Sequence, residues 1–224
     1  MAATATRKSK EKRKDLGSEI RNAYIKYRLE NGSTPPSIYS FAMNELKIEE
    51  SEFYNYYNSF DGIEQDIWNH YFHETMAKLE NDETYISYSV SEKLLAFFFT
   101  LFELMKANRS FIILSVAERK KNEIMPQFLT TFYEQYSEYV KDLVAEGSES
   151  GEIASRPEQI KSNYYRAVWA QFIFLLDFWI KDTSKGFEDT DAAIEKSVNL
   201  LFDLIGKNLI DNVFDFAKFL IGRR

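Results

Sequence analysis

Apolar side chains recur at three- and four-residue intervals over most of this chain, and no stretch alternates apolar with polar residues long enough to make a strand. Helices are therefore the elements from which a core is expected to be built. Glycine (8) and proline (4) are few among 224 residues, so little interrupts those helices. A hydrophobic content of 45%, with 19 Phe and 14 Tyr, marks a folded chain and not a disordered tail. The expected fold is all-α, with about nine helices.

Along the chain, Met1 to Asp15 is basic, polar and without apolar periodicity, and is expected to form an arm that is flexible in isolation. A helix is expected from Ser18, with Ile20, Ala23, Tyr24 and Tyr27 at helical spacing and Asn31-Gly32 as its stop. After Ser33-Thr34-Pro35-Pro36, Ser37 can cap a second helix whose inward face is Ile38, Phe41 and Ala42. Leu46-Lys47-Ile48 reads as a tight turn. A third helix then opens at Glu49 or Glu50 and carries Phe53, Tyr54 and Tyr57. A fourth runs from Ile63 to about Leu79. Longer helices follow at 91–106, 110–119, 125–145, 158–180 and 191 to about 220, while Glu146 to Ser155 (EGSESGEIAS) reads as a loop. The expected organisation is an arm over 1–15, a three-helix domain over 16–63 with its fourth helix linking to about 80, and a larger domain over 81–224.

Three short helices with a tight turn before the third are the outline of a DNA-reading helix-turn-helix. Ile20 with Ala23-Tyr24, Gly32, Thr34, Phe41-Ala42, Lys47-Ile48-Glu49, the run Phe53-Tyr54-Asn55-Tyr56-Tyr57 and Ser59-Phe60-Asp61 follow one another without a gap. In spacing, this series resembles the N-terminal domain of the TetR family of bacterial repressors. There the corresponding features are an Ile-x-x-Ala-Ala start, a Gly after helix 1, a Thr and then an Ile-Ala pair, a Gly-Val-Ser turn, a Leu-Tyr-x-x-Phe recognition helix and a capped fourth helix. The remaining helices resemble the family's larger ligand-binding and dimerisation domain.

The resemblance implies a dimeric, ligand-responsive transcriptional regulator, a repressor of operator DNA. Ser51, Tyr54, Asn55 and Tyr56 would face base edges and phosphates from the third helix. Thr34, Ser37 and Tyr39 would touch phosphates from the second helix, and Lys47 from the turn. It also allows a second reading, a carrier of a hydrophobic, lipid-like ligand that has lost DNA binding. A lipid-binding accessory protein of ubiquinone biosynthesis resembles the same fold without acting on DNA.

Charge bears directly on that choice. The net charge is −7. Residues 1–33 hold nine basic side chains against four acids, and residues 34–80 hold two (Lys47 and Lys78) against nine acids. The third helix begins Glu49-Glu50-Ser51-Glu52, where the family often has Ser-Lys-Gly, and Phe60 stands where a phosphate-reaching Lys is common. Carboxylates facing phosphates oppose the counterion release that drives DNA binding, although a carboxylate can accept from cytosine N4. The missing positive charge is expected from Lys8, Lys10, Lys12, Arg13 and Lys14, following the backbone or a minor groove.

In the larger domain an apolar cavity is expected to receive a bulky apolar or aromatic effector. Its candidate lining is Phe98, Phe102, Met105, Phe111, Phe128, Phe132, Trp169, Phe172 and Phe174, although aromatic stripes at helical spacing usually form core. The segments 164–180 and 194–220 are apolar on more than one face, so a homodimer through the last two helices is expected.

Asp66, His70, His73 and Glu74 share a helix face, but such faces are usually solvated or hydrogen-bonded, so no metal and no cofactor are expected. With two histidines, no cysteine and no assembled triad, acid pair or phosphate loop, catalysis is not expected. No stretch is apolar enough to span a bilayer or to serve as a secretory signal, and a cytoplasmic location is expected.

Overall fold

A computed structural model describes residues 2–118, 125–154 and 157–206, with side chains from residue 16 onward except at 158–160 and 206. Among the described residues there are nine α-helices and no strand. They divide into two compact units, Met1–His70 with Asn108–Thr131, and Tyr71–Ala107 with Phe132–Arg224.

The first unit begins with α1 (Ala2–Asn31), which starts well before the Ser18 expected from apolar spacing. Its first two turns hold only Ala, Thr, Lys, Arg and Ser, and the next two add Glu and more Lys and Arg; most of these favour helix without needing an apolar face. α1 stops at Gly32, which takes the left-handed conformation (φ +65°) while its N–H donates to the Arg28 carbonyl at 2.8 Å. α2 (Ile38–Phe41) is capped by the Ser37 hydroxyl, which accepts from the Ser40 N–H at 3.1 Å. It continues as a π-helical segment, Ala42–Leu46. α3 (Glu50–Phe53) is a single turn, and α4 (Phe60–Glu80) follows. α6 (Arg109–Ala117) belongs to this unit as well.

Aromatic rings hold these short helices together. Phe41 lies edge-on to Tyr24 (6.3 Å between centroids), to Phe53 (6.3 Å) and to Phe60 (5.7 Å). Phe60 also stacks on Tyr24 at 5.8 Å. The residue that replaces a phosphate-reaching lysine is thus half-buried and packed against the unit's core rings.

In the second unit, α5 (Val90–Lys106) opens with a capping box between Ser89 and Glu92. The Glu152 carboxylate adds two more bonds there, accepting from the Val90 and Ser91 N–H groups at 2.9 and 3.3 Å. α7 (Thr130–Ser150) runs through half of the segment expected to be a loop. Gly147 is buried inside it, and a Cβ there would stand 2.7 Å from the Ile153 side chain. The glycine therefore serves a close return of the chain, with the Ile153 N–H on the Gly147 carbonyl at 2.8 Å, and does not end the helix.

α8 (Glu158–Trp179) and α9 (Glu188–Gly206) are linked by Gln171 Nε2, which donates to Ser197 Oγ at 2.9 Å. Between them, burial pushes the Asp182 carboxyl up, but bonds from Thr190 and Ser184 outweigh it and hold the group at about 2. Leu209 and Phe216, expected on the last helix, lie outside the described residues. No described helix is long and apolar enough to cross a membrane.

Candidate nucleic-acid and effector sites

The turn before α3 depends on one residue. Lys47 adopts the left-handed conformation (φ 58°, ψ 35°), a region that costs most side chains about 1 kcal/mol or more. The turn of the TetR pattern has a glycine here. The Lys47 Nζ folds back to donate to the Asn44 carbonyl at 2.7 Å. Replacing Lys47 with glycine is expected to stabilise the chain by about 0.5–1 kcal/mol, measured as a shift in urea midpoint. A loss of stability would mean that the bond to Asn44 outweighs the strain.

Around this turn Phe53 is wholly buried, while Ser51, Tyr54 and Asn55 are exposed on α3 and the residues after it. Thr34, Ser37 and Tyr39 are exposed as well. Tyr56 differs: it is half-buried, next to Gly17 of α1. Tyr54 donates its hydroxyl to Glu50 Oε1 at 3.1 Å, so one of the acids on α3 is engaged by the neighbouring aromatic. Tyr57 donates to Asp66 Oδ2 at 2.6 Å, and Arg21 Nη1 donates to the same oxygen at 2.7 Å. Asp66, considered above for a metal, is therefore part of a brace between α1, α4 and the residues following α3.

The described cations between residue 16 and the end of α3 are similarly committed. Arg28 is wholly buried and donates to Tyr24 Oη at 3.0 Å and to Glu118 Oε1 at 2.6 Å, with Glu64 Oε1 3.8 Å away. Burial pushes the Glu64 carboxyl up, against the opposing pull of the Ser115 hydroxyl donated to it and of the Arg28 charge. Lys26 is exposed and pairs with Glu30 at 3.8 Å. From residue 16 to the end of α3, Arg21, Lys26, Arg28 and Lys47 thus each have a carboxylate or carbonyl partner. Lys8, Lys10, Lys12, Arg13 and Lys14 lie on the first turns of α1, and their side chains are outside those described.

The residues expected to line an effector cavity are found in both units. Phe98, Phe102, Met105, Phe132, Trp169 and Phe172 are buried in the second unit. Phe132 stacks on Phe172 at 4.9 Å, and Phe102 meets Trp179 at 5.6 Å. Phe111 belongs instead to the first unit, wholly buried with its ring 6.3 Å from Tyr24, and Phe128 packs on Trp68 at 5.4 Å. Phe174 is 53% exposed on α8, beside Phe178 at 6.1 Å. Periodicity identified these three as apolar helix positions but contained nothing about which neighbour covers each one.

Tyr136, which is not among the expected lining residues, stands at the centre of the buried rings. Phe97 (5.3 Å), Phe132 (5.9 Å), Trp169 (6.0 Å) and Phe172 (5.8 Å) all touch it.

Residues 93–220, more than half of the chain, match the family model described as tetracyclin repressor-like, C-terminal domain. No curated protein matches the chain.

Proposed function

Since the chain belongs to the TetR family, with a tetracyclin repressor-like C-terminal domain, we propose that it is a dimeric, ligand-responsive repressor that binds operator DNA in the cytoplasm and carries out no catalysis. The observation that carries the DNA reading is the shape of the first unit. A left-handed turn at Lys47 joins two short helices, with Phe53 buried behind α3 and Ser51, Tyr54 and Asn55 exposed on its other side. Those three residues are the ones proposed to meet base edges and phosphates. Thr34, Ser37 and Tyr39 would position the duplex, and the basic start of α1 would supply the charge that α3 lacks. Lys47 contributes only if it releases the Asn44 carbonyl.

The dimer is proposed to form through α8 and α9. One face of α8 is buried within the chain (Trp169, Phe172, Leu176, Trp179), and Phe174 and Phe178 form an exposed pair on another. On α9, Leu200 is 59% exposed. Large apolar groups left outward on the last two helices fit a self-complementary interface. That interface would hold two reading heads about one DNA turn apart, about 34 Å, and an effector in the second unit would favour one of two such arrangements.

A second reading, a carrier of a hydrophobic ligand without DNA binding, is favoured by Glu49, Glu50 and Glu52 on and before α3. One experiment separates the two. Full-length protein is expected to protect a symmetric site upstream of its own gene. The Phe174→Asp, Phe178→Asp double variant is expected to sediment as a monomer and to bind that site at least about 100-fold more weakly, since linked sites gain that much in effective concentration. Absence of any protected site would favour the carrier, and a variant that stays dimeric would place the interface elsewhere.

A further inference from the structure

The part of the first unit that would read DNA has little structure of its own. α3 is four residues long, and the chain turns through Tyr54, Asn55 and Tyr56 to reach Tyr57. A single helical turn completes too few backbone bonds to hold its own direction, so that direction is set by neighbouring helices. Phe53 supplies one attachment, wholly buried with its ring 6.3 Å from Phe41 and 6.4 Å from Phe60. One attachment leaves the segment free to pivot about that ring.

Tyr57 supplies the second. Its hydroxyl donates to Asp66 Oδ2 of α4 at 2.6 Å, and Arg21 Nη1 of α1 donates to the same oxygen at 2.7 Å. Arg21 is held in turn by Ser18, whose Oγ accepts from Nη2 at 3.1 Å. Bonds to an ionised acceptor are roughly twice as strong as neutral ones, and here the guanidinium balances the carboxylate. Burial and the Asp66 carboxylate push the Tyr57 phenol up, so it remains a donor at neutral pH. In the TetR pattern this position is the phenylalanine of Leu-Tyr-x-x-Phe, which cannot make the bond. Phenylalanine would serve packing equally well, since the Tyr57 ring lies 6.2 Å from Phe53. What the hydroxyl adds is direction. Tyr54 and Asn55, both exposed, are strung between the two attachments.

We propose that Tyr57 and Asp66, with Arg21 behind them, are the positioning residues of the DNA-reading segment, setting where Tyr54 and Asn55 stand against the duplex. The inference rests on the reading that this unit binds operator DNA, and it names the groups that give such binding its sequence preference. None of the three needs to touch DNA. They hold the contacting side chains in one arrangement before the duplex arrives, so less ordering remains to be done on binding. Hydrogen bonds to base edges demand close geometry, whereas the attraction of cations to phosphates does not. Loosening the brace therefore costs sequence preference and leaves the general attraction in place.

The test compares full-length parent, Tyr57→Phe and Asp66→Asn for binding to the protein's own upstream DNA and to a scrambled duplex, at several salt concentrations. Tyr57→Phe is expected to weaken binding to the native duplex about tenfold, comparable with one mismatched base pair in the site. Its affinity for the scrambled duplex and its salt slope are expected to equal the parent's, because no cation has been moved. Asp66→Asn keeps an acceptor for the phenol and is expected to show a preference between those of parent and Tyr57→Phe. Urea transitions of both variants confirm that the protein compared is folded. An unchanged preference in Tyr57→Phe overturns the proposal, as does equal weakening on both duplexes, the result of a merely structural bond. A parent without preference overturns the regulator reading and the proposal together, whereas a discriminating parent matched by its variant removes only the positioning role.

Discussion

Replacing Arg28 with methionine is expected to destabilise the protein by about 3–5 kcal/mol, read as a lowered urea midpoint at fixed protein concentration. The guanidinium is fully enclosed, and its removal takes a donor from Tyr24 and Glu118 and the nearest positive charge from Glu64. Glu64 is itself buried and would then be held mainly by the Ser115 hydroxyl. The loss should be smaller at acidic pH. Burial already raises the Glu64 carboxyl, and removing the cation raises it further, so the folded variant takes up a proton more readily than its unfolded chain. The penalty is present at neutral pH and eases as pH falls through the raised folded value. Adding Glu64→Leu to the variant should restore much of the loss, because two coupled partners removed together leave no buried charge. A loss below about 1 kcal/mol for Arg28→Met would show that the cluster is not a significant part of the unit's stability.

Deleting residues 1–14 is expected to flatten the salt dependence of operator binding more than any other single change. The deletion removes six cations, Arg7, Lys8, Lys10, Lys12, Arg13 and Lys14, whereas Arg21, Lys26, Arg28 and Lys47 have partners within the first unit. Each phosphate contact contributes about 0.9 to the slope of log affinity against log salt, so loss of six cations could lower the slope by about 5. Weak, non-specific attraction should fall in parallel, since these groups contact the backbone and not base edges. An unchanged slope after deletion would move the DNA contacts elsewhere on the surface.

Much of the reading head was legible because its signals are local. Ser37 caps, Gly32 stops, and the apolar spacing of Tyr24, Phe41 and Phe53 survives although most identities differ from the TetR pattern. The acids of α3 were legible too, and they remain exposed or half-exposed. What was not legible depends on partners distant in sequence. Arg28 read as one more basic residue of the first helix; its burial comes from Glu64 and Glu118, 36 and 90 positions away. Gly147 read as a loop residue because nothing local reveals the Ile153 side chain that fills its space. The start of α1 was missed because its helix rests on propensity, with no apolar stripe to mark it. That Phe111 and Phe128 pack within the first unit was not legible either: helical spacing shows that a face is covered but not by which element.

The proposed function of this acidic member of the TetR family is DNA recognition through α3 with charge borrowed from the start of α1. Its most direct test is equilibrium binding of the purified full-length dimer to its own upstream DNA, beside a scrambled duplex of equal length, across a salt series beginning in dilute buffer. The account predicts a preference for the native duplex of about 10³ or more that persists as both affinities decline with salt. Equal affinity for the two duplexes, or no binding to either at the lowest salt, would contradict it.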